Sequence, residues 1–182
     1  MKLIGVISDT HIDNRSTRVI PDRVYEAFRN VDRILHGGDL TAPSVLDALN
    51  LLAPTLAVKG NNDYGARSTL PVSRRVEIEN VVIGMTHGDA PANGVKVKKL
   101  TDAPGNSQAA ADAISHFEWD DDVSCIIFGH SHRALSLWRE IQGRRVLLLN
   151  PGSPTDRRWS PHFGCALMKI EGEKIEPELI TW

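Results

Sequence analysis

Short apolar runs alternate with segments of helical periodicity over the first 60 residues of the chain. Lys2–Ser8 is a continuous apolar run rich in β-branched residues, which is typical of a strand buried on both faces. Pro21–Asn30 begins with proline and then places apolar residues at helical spacing. Two further strands are predicted at Val31–Leu35 and Thr55–Val58, with a helix between them at Pro43–Leu52. This order of strands and helices predicts a mainly parallel sheet with right-handed crossovers.

The pattern changes after Pro71, where strands predominate. A hairpin is predicted from Val72–Ile78 and Val81–Met85. A helix at Ala109–Phe117 then precedes a buried strand at Ser124–Phe128. Four more strands joined by short turns are predicted at Ala134–Trp138, Arg145–Leu149, Cys165–Ile170 and Lys174–Leu179. The chain therefore begins as α/β and ends β-rich, and we expect one α/β domain, residues 1–182, with a two-sheet core flanked by helices.

The composition is that of a globular protein and excludes several classes of function. The 182 residues are 41% hydrophobic and 24% charged, with 21 Lys and Arg against 23 Asp and Glu, a net charge of −2. This balance argues against bulk electrostatic binding to long nucleic acid or to an anionic membrane. No apolar stretch approaches the ~20 residues that cross a bilayer. Because the apolar N-terminal run is also too short for a signal-peptide core, we expect a cytoplasmic protein.

Polar residues of one chemical kind follow five of the predicted strands. The segments are Asp9-Thr10-His11, Gly38-Asp39, Gly60-Asn61-Asn62-Asp63, His87-Gly88 and Gly129-His130-Ser131-His132. In open parallel sheets, ligands bind beyond the carboxyl ends of the strands. Asp9 and His11 are two residues apart, as are His130 and His132, and in an extended chain such positions project to the same side. We therefore expect each pair to direct two side chains at one place.

These segments supply seven oxygen and nitrogen donors suited to metal ions. The donors are Asp9, His11, Asp39, Asn61, His87, His130 and His132. A carboxylate shared between two cations would allow four bonds to each metal. The two cysteines, Cys125 and Cys165, lie in apolar runs far apart and form no CxxC motif. Oxygen and nitrogen donors without thiolate favour Mn²⁺, Fe or Zn²⁺ over Cu(I) or an iron–sulfur cluster.

The order of these segments resembles the calcineurin-like metallophosphoesterase family, whose pattern is DxH…GD…GN[HX]D…H…GHxH. The resemblance extends from Ser8 to about Ser153 and includes the turn Asn150-Pro151-Gly152-Ser153, which is similar to the small YfcE-like phosphodiesterase branch. It implies a four-layer αββα sandwich of two mixed β-sheets with a dinuclear metal site at the strand ends. It also implies hydrolysis of a phosphodiester by in-line attack of a metal-bridging hydroxide, with two divalent ions, Mn²⁺ being expected and Fe or Zn²⁺ the alternatives.

The resemblance also implies a role for each donor. The first metal would be held by Asp9, His11 and His132, the second by Asn61, His87 and His130, and Asp39 would bridge them. Two candidate catalytic positions depart from the family pattern.

Asn62 stands where many family members have histidine. An amide can donate a hydrogen bond to a phosphoryl oxygen but cannot act as a general acid, so the alternative is a purely structural role. Asp89 stands where a second histidine of HGH is common. It could support a ligand, bind the second metal itself or cap a turn.

Three functional hypotheses follow from these residues. The first is a dinuclear-metal phosphodiesterase acting on a small phosphodiester, with neither membrane nor long nucleic acid as a partner. The second is a catalytically weak scaffold of the same fold, as a similar retromer subunit suggests, and the third is a phosphomonoesterase. A homo-oligomer is compatible with four scattered tryptophans, which we assign to packing or to a subunit interface: Trp119, Trp138, Trp159 and Trp182.

Overall fold

Two five-stranded β-sheets organise the chain. The computed structural model describes residues 1–13, 16–64, 69–94, 98–118 and 120–182. Sheet A contains β1 (Lys2–Ile7), β2 (Arg33–His36), β3 (Thr55–Ala57), β9 (Gly164–Glu171) and β10 (Lys174–Thr181). Sheet B contains β4 (Ser73–Ile78), β5 (Val81–Thr86), β6 (Val123–Ile127), β7 (Leu135–Ile141) and β8 (Arg144–Asn150).

Both sheets are mixed, as predicted. In sheet A the order is β10-β9-β1-β2-β3, in which β1, β2 and β3 are parallel and β9 is antiparallel to β1. In sheet B the order is β4-β5-β6-β8-β7, in which β5, β6 and β8 are parallel. The carboxyl ends of β1, β2 and β3 therefore share one edge of sheet A, and those of β5 and β6 share one edge of sheet B.

In the described part of the chain, three α-helices cover the outer faces of the sheets. They are α1 (Asp22–Ala27), α2 (Pro43–Asn50) and α3 (Ser107–Ser115), and a short 3-10 turn lies at Ala92–Gly94.

The helix predicted at Pro21–Asn30 is shorter than expected. Pro21 is its N-cap, with extended backbone, and Phe28 leaves the helical conformation (φ −97°, ψ 7°). The predicted helix at Ala109–Phe117 is displaced by two residues toward the N-terminus, because Ser107 already begins it.

Three buried clusters of apolar side chains separate the layers. The cluster between the two sheets includes Val6, Met85 and Ile127. A second joins sheet A to α1 and α2 and includes Val24 and Leu49. A third joins sheet B to α3 and is built from the residues Ala110, Phe117, Ile126, Phe128 and Leu148. The predicted αββα sandwich is therefore confirmed.

The two cysteines and three of the tryptophans have defined surroundings. Cys125 and Cys165 are free and buried in the apolar clusters. Trp138 packs against the inter-sheet cluster and Trp182 stacks on Phe163, whereas Trp159 is 89% exposed. Trp119 lies outside the described residues. Within those residues, none of the helices is long and apolar enough to cross a membrane.

Replacing Phe28 by alanine is expected to destabilise the protein strongly. The ring is fully buried beneath α1, and a Cβ at Gly5 would lie only 3.0 Å from it, so the strand leaves room for this ring by having no side chain there. Phe28→Ala should lower the free energy of unfolding by about 3–5 kcal/mol in denaturant titration. Tyr25→Ala, on the exposed side of the same helix, should cost about 1 kcal/mol or less, and equal losses would contradict this packing.

Candidate metal centre

The candidate donors lie where the chain turns sharply after each strand. Five of them have left-handed backbone conformations: Asp9 (φ 54°), His11 (φ 44°), Asp39 (φ 57°), His130 (φ 65°) and His132 (φ 58°). Residues with side chains seldom adopt this region, because the Cβ crowds the backbone. The expectation of locally extended chain at these pairs is therefore wrong. The turns are held instead by backbone hydrogen bonds between loops, such as Asp9 N to Gly38 O at 2.9 Å.

One cluster of donor atoms is formed by Asp9, His11 and His132. Asp9 Oδ1 lies 3.3 Å from His132 Nε2 and 3.8 Å from His11 Nε2. The two Nε2 atoms are 3.2 Å apart, and the two rings are stacked. All three residues are nine-tenths or more buried, and their donor atoms converge on one point with the spacing that a single cation requires.

A second cluster is formed by Asp9, Asp39 and His87. His87 Nε2 lies 3.3 Å from Asp39 Oδ2 and 3.8 Å from Asp9 Oδ1. Asp39 Oδ2 is also 3.5 Å from His11 Nε2, in the first cluster. Asp39 thus belongs to the second cluster and lies near the first, and Asp9 belongs to both.

His130 and Asn61 extend this second group toward the surface. His130 Nδ1 is 3.2 Å from Asn61 Oδ1, and its ring meets the ring of His87 edge-on at 5.3 Å. His132 faces Asp9 and His11 instead. The expected convergence of residues two positions apart therefore holds for Asp9 and His11 but not for His130 and His132.

The buried polar atoms of the two clusters fit divalent cations. His87 Nδ1 donates to Gly37 O at 2.8 Å, and His132 Nδ1 donates to Asp156 O. In the neutral rings these bonds leave each Nε2 as an acceptor that faces carboxylate oxygen. Asp9 Oδ1 and His87 Nε2 are buried without a hydrogen-bond partner among the described residues. Such acceptors are costly to bury unless a proton or a cation lies between them.

Charge interactions dominate the protonation of this site. Burial alone would lower the pKa of His87, but the negative charges of Asp9 and Asp39 outweigh it and raise the pKa to about 9. Burial opposes ionisation of Asp39, but the charge of the His87 ring beside it and two hydrogen bonds from Asn62 hold its pKa well below the ordinary value. The metal-free site therefore holds a proton on His87 where a cation would bind.

His36 differs from the donor histidines. Burial lowers its pKa to about 3, so the ring is neutral. Gly38 N donates to its Nδ1 at 3.1 Å, which leaves Nε2 to donate to Thr10 Oγ1 at 3.2 Å. His36 therefore braces the loops that carry Asp9 and Asp39.

The two candidate catalytic residues lie on different sides of the site. Asn62 is half-buried and donates to both oxygens of Asp39, from its backbone N to Oδ1 and from Nδ2 to Oδ2, each at 2.7 Å. Asp89 is exposed and lines a cavity of about 360 Å³ that also reaches Asn61. Asn62 thus orients a metal-ligand candidate, and its catalytic role and that of Asp89 stay predictions.

Several residues that hold the donors in place were missed in the sequence. Ser8 Oγ donates to Asp9 Oδ2 at 2.7 Å, which leaves Oδ1 to face the histidines. Asn106 and Asn150 join the loop of His130 and His132 to β8, because Asn150 Nδ2 donates to Asn106 Oδ1 and to Gly129 O at 3.0 and 2.8 Å. The turn that begins at Asn150 can be recognised in the sequence, but the sequence does not show which loop this turn supports.

Two positions beside the donors must be glycine, because neighbouring atoms leave no room for a Cβ. A Cβ at Gly129 would lie 2.0 Å from Ser8 Oγ and 2.5 Å from Asp9 Oδ2. A Cβ at Gly60 would lie 2.2 Å from Asp39 Oδ1. The glycines of the GHSH and GNND segments therefore make room for the two carboxylates.

Comparisons with known proteins agree with this geometry. A profile of the calcineurin-like phosphoesterase superfamily domain matches residues 1–173. A probable metallophosphoesterase of Methanothermobacter thermautotrophicus is 37% identical over 178 residues, which cover 98% of this chain and 91% of the relative. Another, from Methanocaldococcus jannaschii, is 37% identical over 181 residues, covering 98% and 80%.

Solved structures share the fold at lower identity. Vps29 of Entamoeba histolytica complexed with Zn²⁺ has a TM-score of 0.69 and 24% identity, covering 98% of each chain. YfcE, a phosphoesterase of E. coli, has a TM-score of 0.58 and 19% identity, covering 92% of this chain and 88% of its own.

His87 is expected to exchange a proton for a metal ion. Because its pKa is raised to about 9, the metal-free ring is doubly protonated at pH 7 and becomes neutral only as the pH rises through 9. Adding Zn²⁺ at pH 7 should convert it to the neutral Nδ1–H form, since a metal displaces the Nε2 proton. Nitrogen NMR of the histidine rings reports both states. A His87 ring that is already neutral at pH 7 before metal is added would contradict this assignment.

Asp63 is expected to control metal affinity without binding metal. Its Oδ2 accepts from Asp39 N and Gly60 N, and its Oδ1 accepts from Thr41 N, each at 2.9 Å. In Asp63→Asn, an NH₂ group replaces one carboxylate oxygen and faces a backbone N–H, so at least one hydrogen bond is lost. We expect the free energy of unfolding to fall by about 1–3 kcal/mol and the metal affinity to fall by about 10–100-fold. Denaturant and metal titrations measure the two effects.

The control for this change is Asp47→Asn, on the exposed side of α2. It should leave both the unfolding free energy and the metal affinity unaltered. Unchanged metal affinity in Asp63→Asn would show that the backbone of Asp39 is held in place by other contacts.

Proposed function

The chain belongs to the calcineurin-like phosphoesterase superfamily, and from this premise we propose that it is a dinuclear-metal phosphodiesterase acting on a small phosphodiester. The observation that supports the proposal most directly is the convergence of two carboxylates and their facing histidines at the ends of parallel strands. Asp9 Oδ1 and His87 Nε2 are buried there without a hydrogen-bond partner among the described residues.

Two divalent ions would complete this arrangement. We expect the first to be held by Asp9, His11 and His132 and the second by Asn61, His87 and His130, with Asp39 shared between them. Mn²⁺ is the expected ion, and Fe or Zn²⁺ are the alternatives that the same oxygen and nitrogen donors accept. Support for a divalent ion comes from the Vps29 relative, which is described as complexed with Zn²⁺.

When bound, such ions neutralise phosphoryl oxygens and lower the pKa of a water that attacks the phosphorus. The residues of the chain prepare the site for this chemistry. Asn62 holds Asp39 through both carboxylate oxygens, and one N–H of its amide is still available to a phosphoryl oxygen. Because an amide cannot protonate a leaving group, we expect the best substrates to have leaving groups that depart as stable anions.

The two alternatives make different demands on the same residues. A scaffold of this fold would need no turnover, whereas the seven predicted donors beside or within the two clusters supply the groups that metal-dependent hydrolysis requires. A phosphomonoesterase would use the same donors on a substrate with one more negative charge. Activity on both ester classes therefore distinguishes the two enzymes.

Metal analysis and hydrolysis assays test the proposal. Protein purified without chelator should contain about two transition-metal ions per chain and should hydrolyse bis-p-nitrophenyl phosphate in added Mn²⁺ faster than p-nitrophenyl phosphate. Asp39→Asn should lower kcat/KM by about 100-fold or more, since this carboxylate lies within reach of both clusters. Asp121→Asn, at the opposite end of β6, is the matched control and should retain full activity.

Two results would reject the phosphodiesterase. One is less than about a tenth of a metal ion per chain together with no hydrolysis of the diester. The other is tight metal binding without hydrolysis of either ester and with a stable protein partner, which would favour the scaffold. Faster hydrolysis of the monoester would favour the phosphomonoesterase.

A further inference from the structure

A cavity opens beside the second group of donors. It has a volume of about 360 Å³ and its lining includes Lys59, Asn61, Tyr64, Val72, Asp89 and Pro91. Asn61 connects it to the donors, because Asn61 Oδ1 lies 3.2 Å from His130 Nδ1. The volume is in the range of small-ligand sites and would hold one substituent of about the size of an aryl group. The cavity therefore has room for the leaving group of a phosphoester whose phosphorus atom lies near the donors.

The walls of the cavity differ in character. Tyr64, Val72 and Pro91 offer aromatic and aliphatic surface, and the first two are 66% and 58% exposed. Asp89 adds a negative charge, and Lys59 adds a positive one. Apolar surface on this scale suits an uncharged, flat substituent.

The loop that carries Asp89 is fixed against α3. His116 Nε2 donates to Ala90 O at 3.1 Å, and Ala92 N donates to Ser115 Oγ at 2.8 Å. Gly88 approaches the helix so closely that a Cβ would lie 2.8 Å from Ala109 O. The carboxylate of Asp89 is therefore tied to one side of the cavity by its backbone.

The negative charge of Asp89 lies beside the donors. Asp89 lines the same cavity as Asn61, whose Oδ1 is 3.2 Å from His130 Nδ1. It also follows His87 by only two residues in the chain. An anion bound at the donors would therefore be repelled by this carboxylate.

We infer that Asp89 is a specificity residue that selects phosphodiesters with an uncharged arm in this cavity over phosphomonoesters and over arms bearing a further negative charge. A diester is a monoanion and has a second arm to fill the cavity. A monoester is a dianion near neutral pH, so it suffers the repulsion of Asp89 twice as strongly. This inference rests on the proposed function, because it assumes that a phosphoester binds at the donors. It concerns binding only and can be tested without turnover.

Two non-hydrolysable ligands separate the charge effect from catalysis. Phenylphosphonate is a dianion at pH 8.5, and its monomethyl ester is a monoanion of similar shape. Titration of Mn²⁺-loaded protein with each ligand should show that Asp89→Asn tightens the dianion about tenfold and the monoanion about threefold, because the loss of one charge acts in proportion to the ligand charge. The same substitution leaves the positive charge of Lys59 unopposed, which acts in the same direction.

The control variant is again Asp121→Asn, which should leave both affinities within twofold. Metal content measured on the same samples should stay at the wild-type value in Asp89→Asn. A variant that loses metal would overturn the inference, because Asp89 would then be a ligand. Equal tightening of both ligands, or no change in either, would overturn it as well.

Hydrolysis assays, compared with the phosphonate titrations, distinguish the failure of this inference from the failure of the proposed function. If the protein hydrolyses diesters, Asp89→Asn should lower the ratio of kcat/KM for the diester to that for the monoester by about threefold. If the protein discriminates between the two phosphonates but hydrolyses no ester, the phosphodiesterase fails and the specificity role stands. If it hydrolyses diesters but the ratio and the phosphonate affinities are unaffected by Asp89→Asn, only the specificity role fails.

Discussion

The structure of this protein depends on two carboxylates buried a few ångströms from three histidine rings. Asp9 and Asp39 are both almost fully buried, and a charge in such a place is tolerated only when opposite charge or hydrogen bonds compensate it. Several of the loops at this edge of the sheets serve that need. Ser8 and Asn62 donate to the carboxylates, and Gly129 leaves the space in which one of them lies. A divalent cation is the compensation that the remaining acceptors lack.

The fold could be predicted from the sequence because burial imposes regular patterns on it. A strand covered on both faces, such as Lys2–Ile7, must be continuously apolar, and helices packed on a sheet must repeat at helical spacing. The errors are confined to the ends of elements. The helix expected at Pro21–Asn30 ends early, at Ala27. Phe28, which follows it, buries its ring in the layer below, and nothing in the neighbouring sequence signals this contact.

The candidate donors could also be predicted, but their arrangement could not. Polar residues that follow apolar strands can be recognised from the sequence alone, and Asp39 and His87 are examples. The left-handed turns, however, are set by hydrogen bonds to other loops. The spacing of His130 and His132 therefore does not show that they face different donors, a division that only the family resemblance implies. The residues that support the donors could not be predicted from the sequence either. Nothing near Asn106 in the chain indicates that its side chain accepts a hydrogen bond from Asn150.

The contact between Ser153 and Asp9 has a consequence for the order of events during folding. The Ser153 hydroxyl donates to Asp9 O across 144 positions of sequence, and Thr155 Oγ1 reaches Thr10 O in the same way. The first donors of the site follow β1, but the segment that fixes them follows β8. Contacts of such long range form late, after loop closure has been achieved elsewhere. Tight binding of metal is therefore expected only after the segment that follows β8 has reached the end of β1.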